Sequence, residues 1–118
     1  TLEVPREAAG VARFTFAELC GEALGPADYL AAADAFHTVM IDHVPLLTPE
    51  RRDQAKRFST LIDALYEMKT KLVVSAAAEP ADLYPDGDYA FEFQRTVSRL
   101  MEMRSHEYLA AERKGAEG

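Results

Sequence analysis

Two arginines, Arg95 and Arg99, are four residues apart in a segment whose apolar spacing is helical. Residues at this spacing share one face of a helix, where two like charges destabilise it by roughly 0.2–0.5 kcal/mol. An anion between the two guanidinium groups would relieve that repulsion. Glu92 and Glu102 lie near the same face and could supply the negative charge. A phosphate, or a carboxylate from a partner, is the alternative, and the sequence leaves both interpretations open.

Metal chemistry has little support in the sequence. His37 and His43 bracket one short strand-like run, so their side chains do not easily converge, and His106 lies far along the chain. Asp42 follows an apolar run, as the carboxylate of a magnesium-binding strand does. A single Asp in that position is common, and we interpret it as a strand-end cap or a surface residue. We therefore predict no metal site in this chain.

Nucleophilic and phosphate-binding motifs are also missing from the sequence. Ser75 lies within the strand-like run VVSAAA and not in a G-x-S-x-G turn. Cys20 is predicted to be a small buried residue. Neither G-x-x-x-x-G-K-[ST] nor G-x-G-x-x-G occurs. We predict no catalytic residue and no bound cofactor in this chain alone.

Composition excludes some partners and favours a compartment. The 118 residues carry a formal net charge of −7, which disfavours binding to nucleic-acid phosphates. No apolar run approaches the length of a membrane span. One cysteine permits no internal disulfide, so we expect a reducing, cytoplasmic location. The chain opens at Thr1 and is strand-like almost at once, from which we expect that a preceding part has been removed.

The hydrophobic spacing predicts eight elements in the order ββ-α-α-β-α-β-α. The first two strands form a β-hairpin around Ala8-Ala9-Gly10, with Leu2 and Val4 on one strand and Val11, Phe14 and Phe16 on the other. The remaining elements, in chain order, are a helical turn over 17–23, a helix from Pro26 to about Phe36, a strand over 37–44, a long helix after Thr48, a strand over 72–78 and a helix from Tyr89 to about Ala111. A loop over 79–88 separates the last strand from the last helix.

The long helix after Thr48 has the clearest signal. Thr48 is a natural N-cap and Pro49 suits the first helical position. Its apolar residues form one stripe at i, i+3, i+4 and i+7: Phe58, Leu61, Ile62 and Leu65. The final helix has a similar apolar face: Phe93, Val97, Leu100 and Met103.

These elements predict an α/β fold. Two apolar strands joined by a helix should be parallel, with a right-handed crossover. Together with the hairpin they form a small sheet flanked by helices, with edges that require further partners. We predict a single α/β domain over residues 1–112 and a polar tail over 113–118.

The sequence motifs resemble those of one ATPase family. FTFAELC, ADYL, RFSTLIDALYE, KLVVSA and SRLMEM follow one another in this order. They are similar to the C-terminal part of the AFG-like P-loop ATPases, which include the ZapE family of bacterial cell-division ATPases. The resemblance covers about Phe14 to Leu109. One departure is Ser59, where we expect a β-branched apolar residue.

The resemblance implies an incomplete portion of an AAA-type P-loop ATPase fold. In this family the phosphate-binding loop and the magnesium-binding strand lie upstream, so ATP and Mg²⁺ would belong to the intact parent and this chain alone would be inactive. Arg95 and Arg99, with Arg57 as a further candidate, would sense nucleotide or contact a neighbouring subunit. The implied partners are the rest of the ATPase chain and further copies in a homo-oligomer. The alternative is a non-catalytic domain that docks a cell-division or protein-quality-control partner.

Overall fold

The observed elements follow the predicted order. The structure is a computed structural model that describes residues 6–8, 10–21, 24–84, 87 and 89–103. Its helices and strands are β1 (Arg6–Ala8), β2 (Val11–Thr15), α1 (Phe16–Cys20), α2 (Pro26–Ala35), β3 (Thr38–Val44), α3 (Arg52–Glu67), β4 (Lys71–Ala76) and α4 (Ala90–Met103). Short 3₁₀ turns at Pro49–Arg51 and Pro80–Asp82 precede α3 and α4.

The four strands form one sheet in the order β1-β2-β3-β4. β1 and β2 are the predicted antiparallel hairpin. β3 and β4 are parallel, which confirms the prediction for the two apolar runs. β2 also pairs parallel to β3, because α1 and α2 form a second crossover that the sequence analysis did not identify. The fold is therefore α/β, with three parallel strands and an antiparallel edge.

Helices cover one face of this sheet. The path from β2 to β3 to β4 moves in one direction, and two right-handed crossovers made in one direction place their helices on the same side. Burial follows this arrangement: Phe14 and Ile41 are fully buried, whereas Arg13, Val73 and Ser75 on the alternate positions are exposed.

The first residues after the hairpin differ from the prediction. Phe16 begins α1 and does not extend the strand. The reason is a capping box at Thr15 and Glu18. The Thr15 hydroxyl accepts from the backbone N–H of Glu18 at 3.1 Å, and the Glu18 carboxylate accepts from that of Thr15 at 2.7 Å. The predicted strand residues Leu2 and Val4 lie outside the described residues.

The start of the long helix also differs. Pro49 opens a 3₁₀ turn, and the α-helix begins at Arg52. Thr48 precedes this turn in an extended conformation, but its side chain makes no capping hydrogen bond. The backbone N–H of Glu50 itself, and after it the Thr48 hydroxyl, hold the pKa of the Glu50 carboxyl below its usual value.

The core lies between the sheet and the helices. All four residues of the predicted α3 stripe are buried, and so are Phe93, Leu100 and Met103 of α4, while Val97 is partly buried. Aromatic rings connect the two helices to their neighbours: the Phe58 ring lies 5.9 Å from that of Phe16 and 6.4 Å from that of Phe93. The apolar periodicity of the sequence therefore locates the core correctly.

The predicted end of α4 at about Ala111 and the polar tail over 113–118 lie outside the described residues, as does His106. The boundary at residue 112 stays a prediction.

Candidate functional site

Arg95 and Arg99 meet on one carboxylate, that of Asp63 on α3. Arg95 Nη2 lies 3.0 Å from Asp63 Oδ2, and Arg99 Nη1 lies 2.5 Å from Asp63 Oδ1. We call these three residues the α3–α4 clasp. An anion does lie between the two guanidinium groups, but neither Glu92 nor Glu102 supplies it. The sequence analysis missed Asp63 because its partners are more than 30 residues away.

The two arginines of the clasp have different surroundings. The Arg99 side chain is 28 % exposed, and its guanidinium carbon lies 5.0 Å from the centre of the Tyr66 ring. The Arg95 side chain is 60 % exposed. Surface ion pairs of this kind contribute about 0–1 kcal/mol, so the link between Arg95 and Asp63 is easily exchanged for another anion. Arg99 is therefore the less exposed member of the clasp and has a described aromatic contact, whereas Arg95 is the more exposed member.

A buried polar contact joins the same two helices. The hydroxyls of Ser59 and Thr96 form a short hydrogen bond, and both residues are buried. This contact explains the departure from the expected pattern at Ser59, because a hydroxyl at position 59 satisfies the buried hydroxyl of Thr96. A second departure, Arg104 where the resemblance leads us to expect Gln, lies outside the described residues. Position 59 therefore fixes how α4 lies on α3.

Arg57, the third candidate arginine, has a structural partner. Its Nη1 donates to the backbone carbonyl of Cys20 at 3.0 Å, so α3 holds the C-terminal end of α1. Carbonyls at a helix end lack partners within the helix, and a guanidinium there also suits the helix dipole.

Cys20 itself is buried, as predicted. Burial raises the pKa of its thiol to about 12, so the neutral form dominates near neutral pH. The buried Tyr29 hydroxyl donates to the Leu19 carbonyl at 2.7 Å, and burial likewise raises its pKa.

Asp42 lies on the sheet face opposite the helices, paired with a neighbouring strand. Its Oδ2 is 2.6 Å from Nε of Arg13, and this hydrogen bond raises the pKa of the Arg13 guanidinium. The result agrees with the interpretation of Asp42 as a surface residue. His43 adopts φ = 64° at a bulge in β3, whereas His37 precedes the strand. Among the described residues, no group of three or more His, Cys, Asp and Glu could hold a metal ion.

An apolar groove of about 460 Å³ lies between β4 and α4. Leu72, Val74 and Ala76 of β4 form one side, and Leu100 and Met103 of α4 form the other. Such a lining suits apolar side chains rather than a charged phosphate. The groove and the clasp are thus chemically different sites on the same helix.

Comparison with known proteins identifies the family. The family model for the AFG1-like ATPase matches residues 1–112. The chain belongs to the AFG1-like ATPase family. Part of this assignment was visible in the sequence motifs, and the match confirms the resemblance described above.

Curated relatives of this AFG1-like chain are much longer than 118 residues. Cell division protein ZapE of Escherichia coli K12 is 45 % identical over 98 residues, which cover 83 % of this chain and 26 % of ZapE. Lactation elevated protein 1 homolog B of Danio rerio is 35 % identical over 130 residues, covering 83 % and 26 % respectively. An uncharacterized protein of Schizosaccharomyces pombe is 31 % identical over 134 residues, covering 90 % and 30 %. The chain thus spans about a quarter to a third of the length of these relatives.

No solved structure matches the chain significantly. Within the described part, none of the helices combines the length and apolar character that a membrane crossing requires.

Proposed function

We propose that this chain is the C-terminal portion of an AAA-type P-loop ATPase that binds and hydrolyses ATP with Mg²⁺. In this proposal the chain completes the α/β fold and supplies arginines that respond to the bound nucleotide. The observation that carries the proposal is the AFG1-like ATPase match over residues 1–112. The parallel sheet with two helical crossovers is compatible with such a fold.

The phosphate and Mg²⁺ sites of the proposed ATPase would lie outside this chain. In the ranges that the structure describes, no group of three or more His, Cys, Asp and Glu could hold a metal ion. The groove beside β4 is lined mainly by apolar side chains, and its one charged lining residue, Glu79, is acidic. We therefore assign ATP and Mg²⁺ to the part of the polypeptide that the relatives have and this chain does not cover.

Within this proposal, Arg95 is the arginine that reaches the nucleotide or a neighbouring subunit. Its side chain is the more exposed of the two, and Asp63 remains neutralised by Arg99 when Arg95 leaves. A guanidinium aimed at developing phosphoryl charge can contribute a large part of a rate enhancement. Arg99 then acts as a positioning residue, and Arg57 stabilises the end of α1. An inter-subunit role for Arg95 also requires that the intact ATPase forms a homo-oligomer.

Substitution of Arg95 in the full-length polypeptide tests this role. We expect Arg95→Ala to lower kcat for ATP hydrolysis roughly 10-fold or more, with the thermal unfolding midpoint unchanged. The matched control is Arg51→Ala, because Arg51 is also exposed and binds only a neutral side chain in the described contacts, that of Gln54 at 3.0 Å. The control should keep full activity. Unchanged hydrolysis by a folded Arg95→Ala variant would contradict the role of Arg95.

A second candidate function is a non-catalytic domain that docks a protein partner. Exposed apolar side chains on the outer surface of α4 favour it: Phe91 is 84 % exposed and Met101 is 49 % exposed. Loss of partner binding in Phe91→Ser, with hydrolysis unaffected by Arg95→Ala, would favour this function over the first. Both outcomes are measured in the full-length polypeptide.

A further inference from the structure

The outer edge of β4 has the geometry of a strand acceptor. Lys71 and Ala77 donate their backbone N–H groups to the carbonyls of His37 and Val44 on the β3 side. Backbone groups alternate in direction along a strand of a parallel pair. Leu72, Val74 and Ala76 therefore direct their N–H and C=O groups away from β3. Among the described residues, no strand pairs with this edge.

The groove lies directly along the same edge. The three residues with outward backbone groups also contribute the side chains that form its β4 side: Leu72, Val74 and Ala76. Leu83, Leu100 and Met103 close the opposite side. In an extended strand, every second side chain points to the same face. A strand hydrogen-bonded to β4 would therefore place alternate side chains in the groove, where apolar types fit.

We propose that a β-strand from the remainder of the ATPase polypeptide pairs with β4 and fills this groove with alternating apolar side chains. The inference rests on the proposed function only in that the chain is part of a longer ATPase. The relatives support this occupant, because this chain covers only 26 % of ZapE and the remaining length can supply a strand. A second copy is a poorer occupant, since each copy carries a formal net charge of −7 and pairing would bring these charges together.

Amide hydrogen exchange, read residue by residue by NMR, tests the pairing. In the 118-residue chain, we expect the amides of Leu72, Val74 and Ala76 to exchange rapidly. In the full-length polypeptide, the same amides should exchange roughly 100-fold more slowly or better. The amides of Val73 and Ser75 face β3 and serve as the internal control, because they should be protected in both proteins.

Each other outcome overturns the proposal. Equal exchange at Leu72, Val74 and Ala76 in both proteins would show that no strand covers the edge. Protection in the short chain that rises with its concentration would identify a second copy as the occupant. Protection in the short chain at every concentration would mean that its own residues cover the edge. None of these readouts depends on ATP hydrolysis, so failure of the strand pairing is distinguishable from failure of the ATPase proposal.

A variant pair adds a test of the groove. Val74→Lys in the full-length polypeptide places a charge on the β4 side of the groove, and we expect it to restore rapid exchange at Leu72 and Ala76. Leu30→Lys is the matched control, because Leu30 is 46 % exposed on α2 and does not line the groove. Continued protection in Val74→Lys would contradict a seated strand. The wild-type comparison stands if this variant does not fold.

Discussion

At the scale of single residues, the α3–α4 clasp joins two helices through ion pairs on one carboxylate. One carboxylate, Asp63, binds two guanidinium groups, and of these two only that of Arg99 has a described contact with an aromatic ring. Within the proposed function, the release of Arg95 leaves the pair of Asp63 and Arg99 intact. The hydroxyl pair of Ser59 and Thr96 is a second contact between the same two helices.

The Ser59–Thr96 contact gives a prediction for stability. Ser59→Ala leaves the buried Thr96 hydroxyl without its partner, so we expect the free energy of unfolding to fall by about 1–3 kcal/mol. Replacing both hydroxyls, in Ser59→Ala/Thr96→Val, removes the unsatisfied group and should recover part of this loss. Urea unfolding of the 118-residue chain measures both. The Thr96→Val variant completes the comparison. If the double variant loses as much free energy of unfolding as Ser59→Ala and Thr96→Val lose together, the result contradicts the contact.

Cys20 predicts a dependence of stability on alkaline pH. Its thiol has an ordinary pKa of 9.0 and a folded-state pKa of about 12, so the unfolded chain releases the proton first as pH rises. The stabilisation is complete below pH 9 and is lost as pH rises toward 12. For this one group, the free energy of unfolding should fall by about 1.4 kcal/mol per pH unit in that window.

Comparison of wild type with Cys20→Ala tests this effect together with its influence on Tyr29. Burial raises the pKa of Tyr29 in the same direction, and the neighbouring Cys20 adds to that shift, so the variant loses the contribution of Cys20 to both groups. Urea unfolding at pH 8 and pH 10 should show a steeper loss for wild type than for the variant. Parallel losses in the two proteins would mean that burial does not raise the pKa of Cys20.

Residue types and spacing predicted only part of this chemistry. The position of Arg95 and Arg99 on one face of α4 follows from their separation of four residues. Their partner Asp63 could not be predicted, because nothing local to α4 indicates which residue of α3 faces it. The burial of Cys20 was predictable from its type, whereas the contact between Arg57 and the Cys20 carbonyl depends on how α3 packs against α1.

At the scale of elements, the turn between β1 and β2 depends on Gly10. Gly10 has φ = +82°, and a Cβ atom there would lie 2.6 Å from the His37 ring. We expect Gly10→Ala to lower the free energy of unfolding by about 1–3 kcal/mol, because the backbone is strained and the ring must move. Thermal or urea unfolding measures the change.

Gly25→Ala is the control for this position. A Cβ at Gly25 meets no atom within 4 Å, so only the preference of the N-cap position changes and the loss should be smaller. Equal losses for the two variants would show that the turn does not require glycine at position 10.

Local signals explain which elements the sequence predicted well. The apolar stripe of α3 is long and regular, and the helix forms as predicted apart from its first turn. Thr15 and Glu18 are three residues apart and have the sequence signature of a capping box at the start of α1. This signature places the end of the strand at Thr15 rather than at Phe16. The bulge at His43 has no comparable signature, since it depends on the pairing of β3 with β4.

At the scale of the whole molecule, helices cover one face of the sheet, and among the described residues β1 and β4 are its two edge strands. Parallel sheets usually have both faces covered. Gly25 and Pro26 divide the connection between β2 and β3 into two short helices. The sequence analysis did not interpret these two helices as one crossover, so it predicted a parallel pair but not the third parallel strand. Which surfaces the rest of a longer polypeptide covers is a question of tertiary contact that the composition of this chain does not answer.

The central claim is that this chain belongs to an ATPase whose phosphate site lies elsewhere in the polypeptide. Titration of the 118-residue chain with Mg-ATP by isothermal calorimetry tests it most directly, with the full-length polypeptide as the positive control. We expect binding heat for the full-length protein and no binding heat for the 118-residue chain. Micromolar binding by the short chain would contradict it and would make Asp42, Arg95 and Arg99 the first residues to substitute.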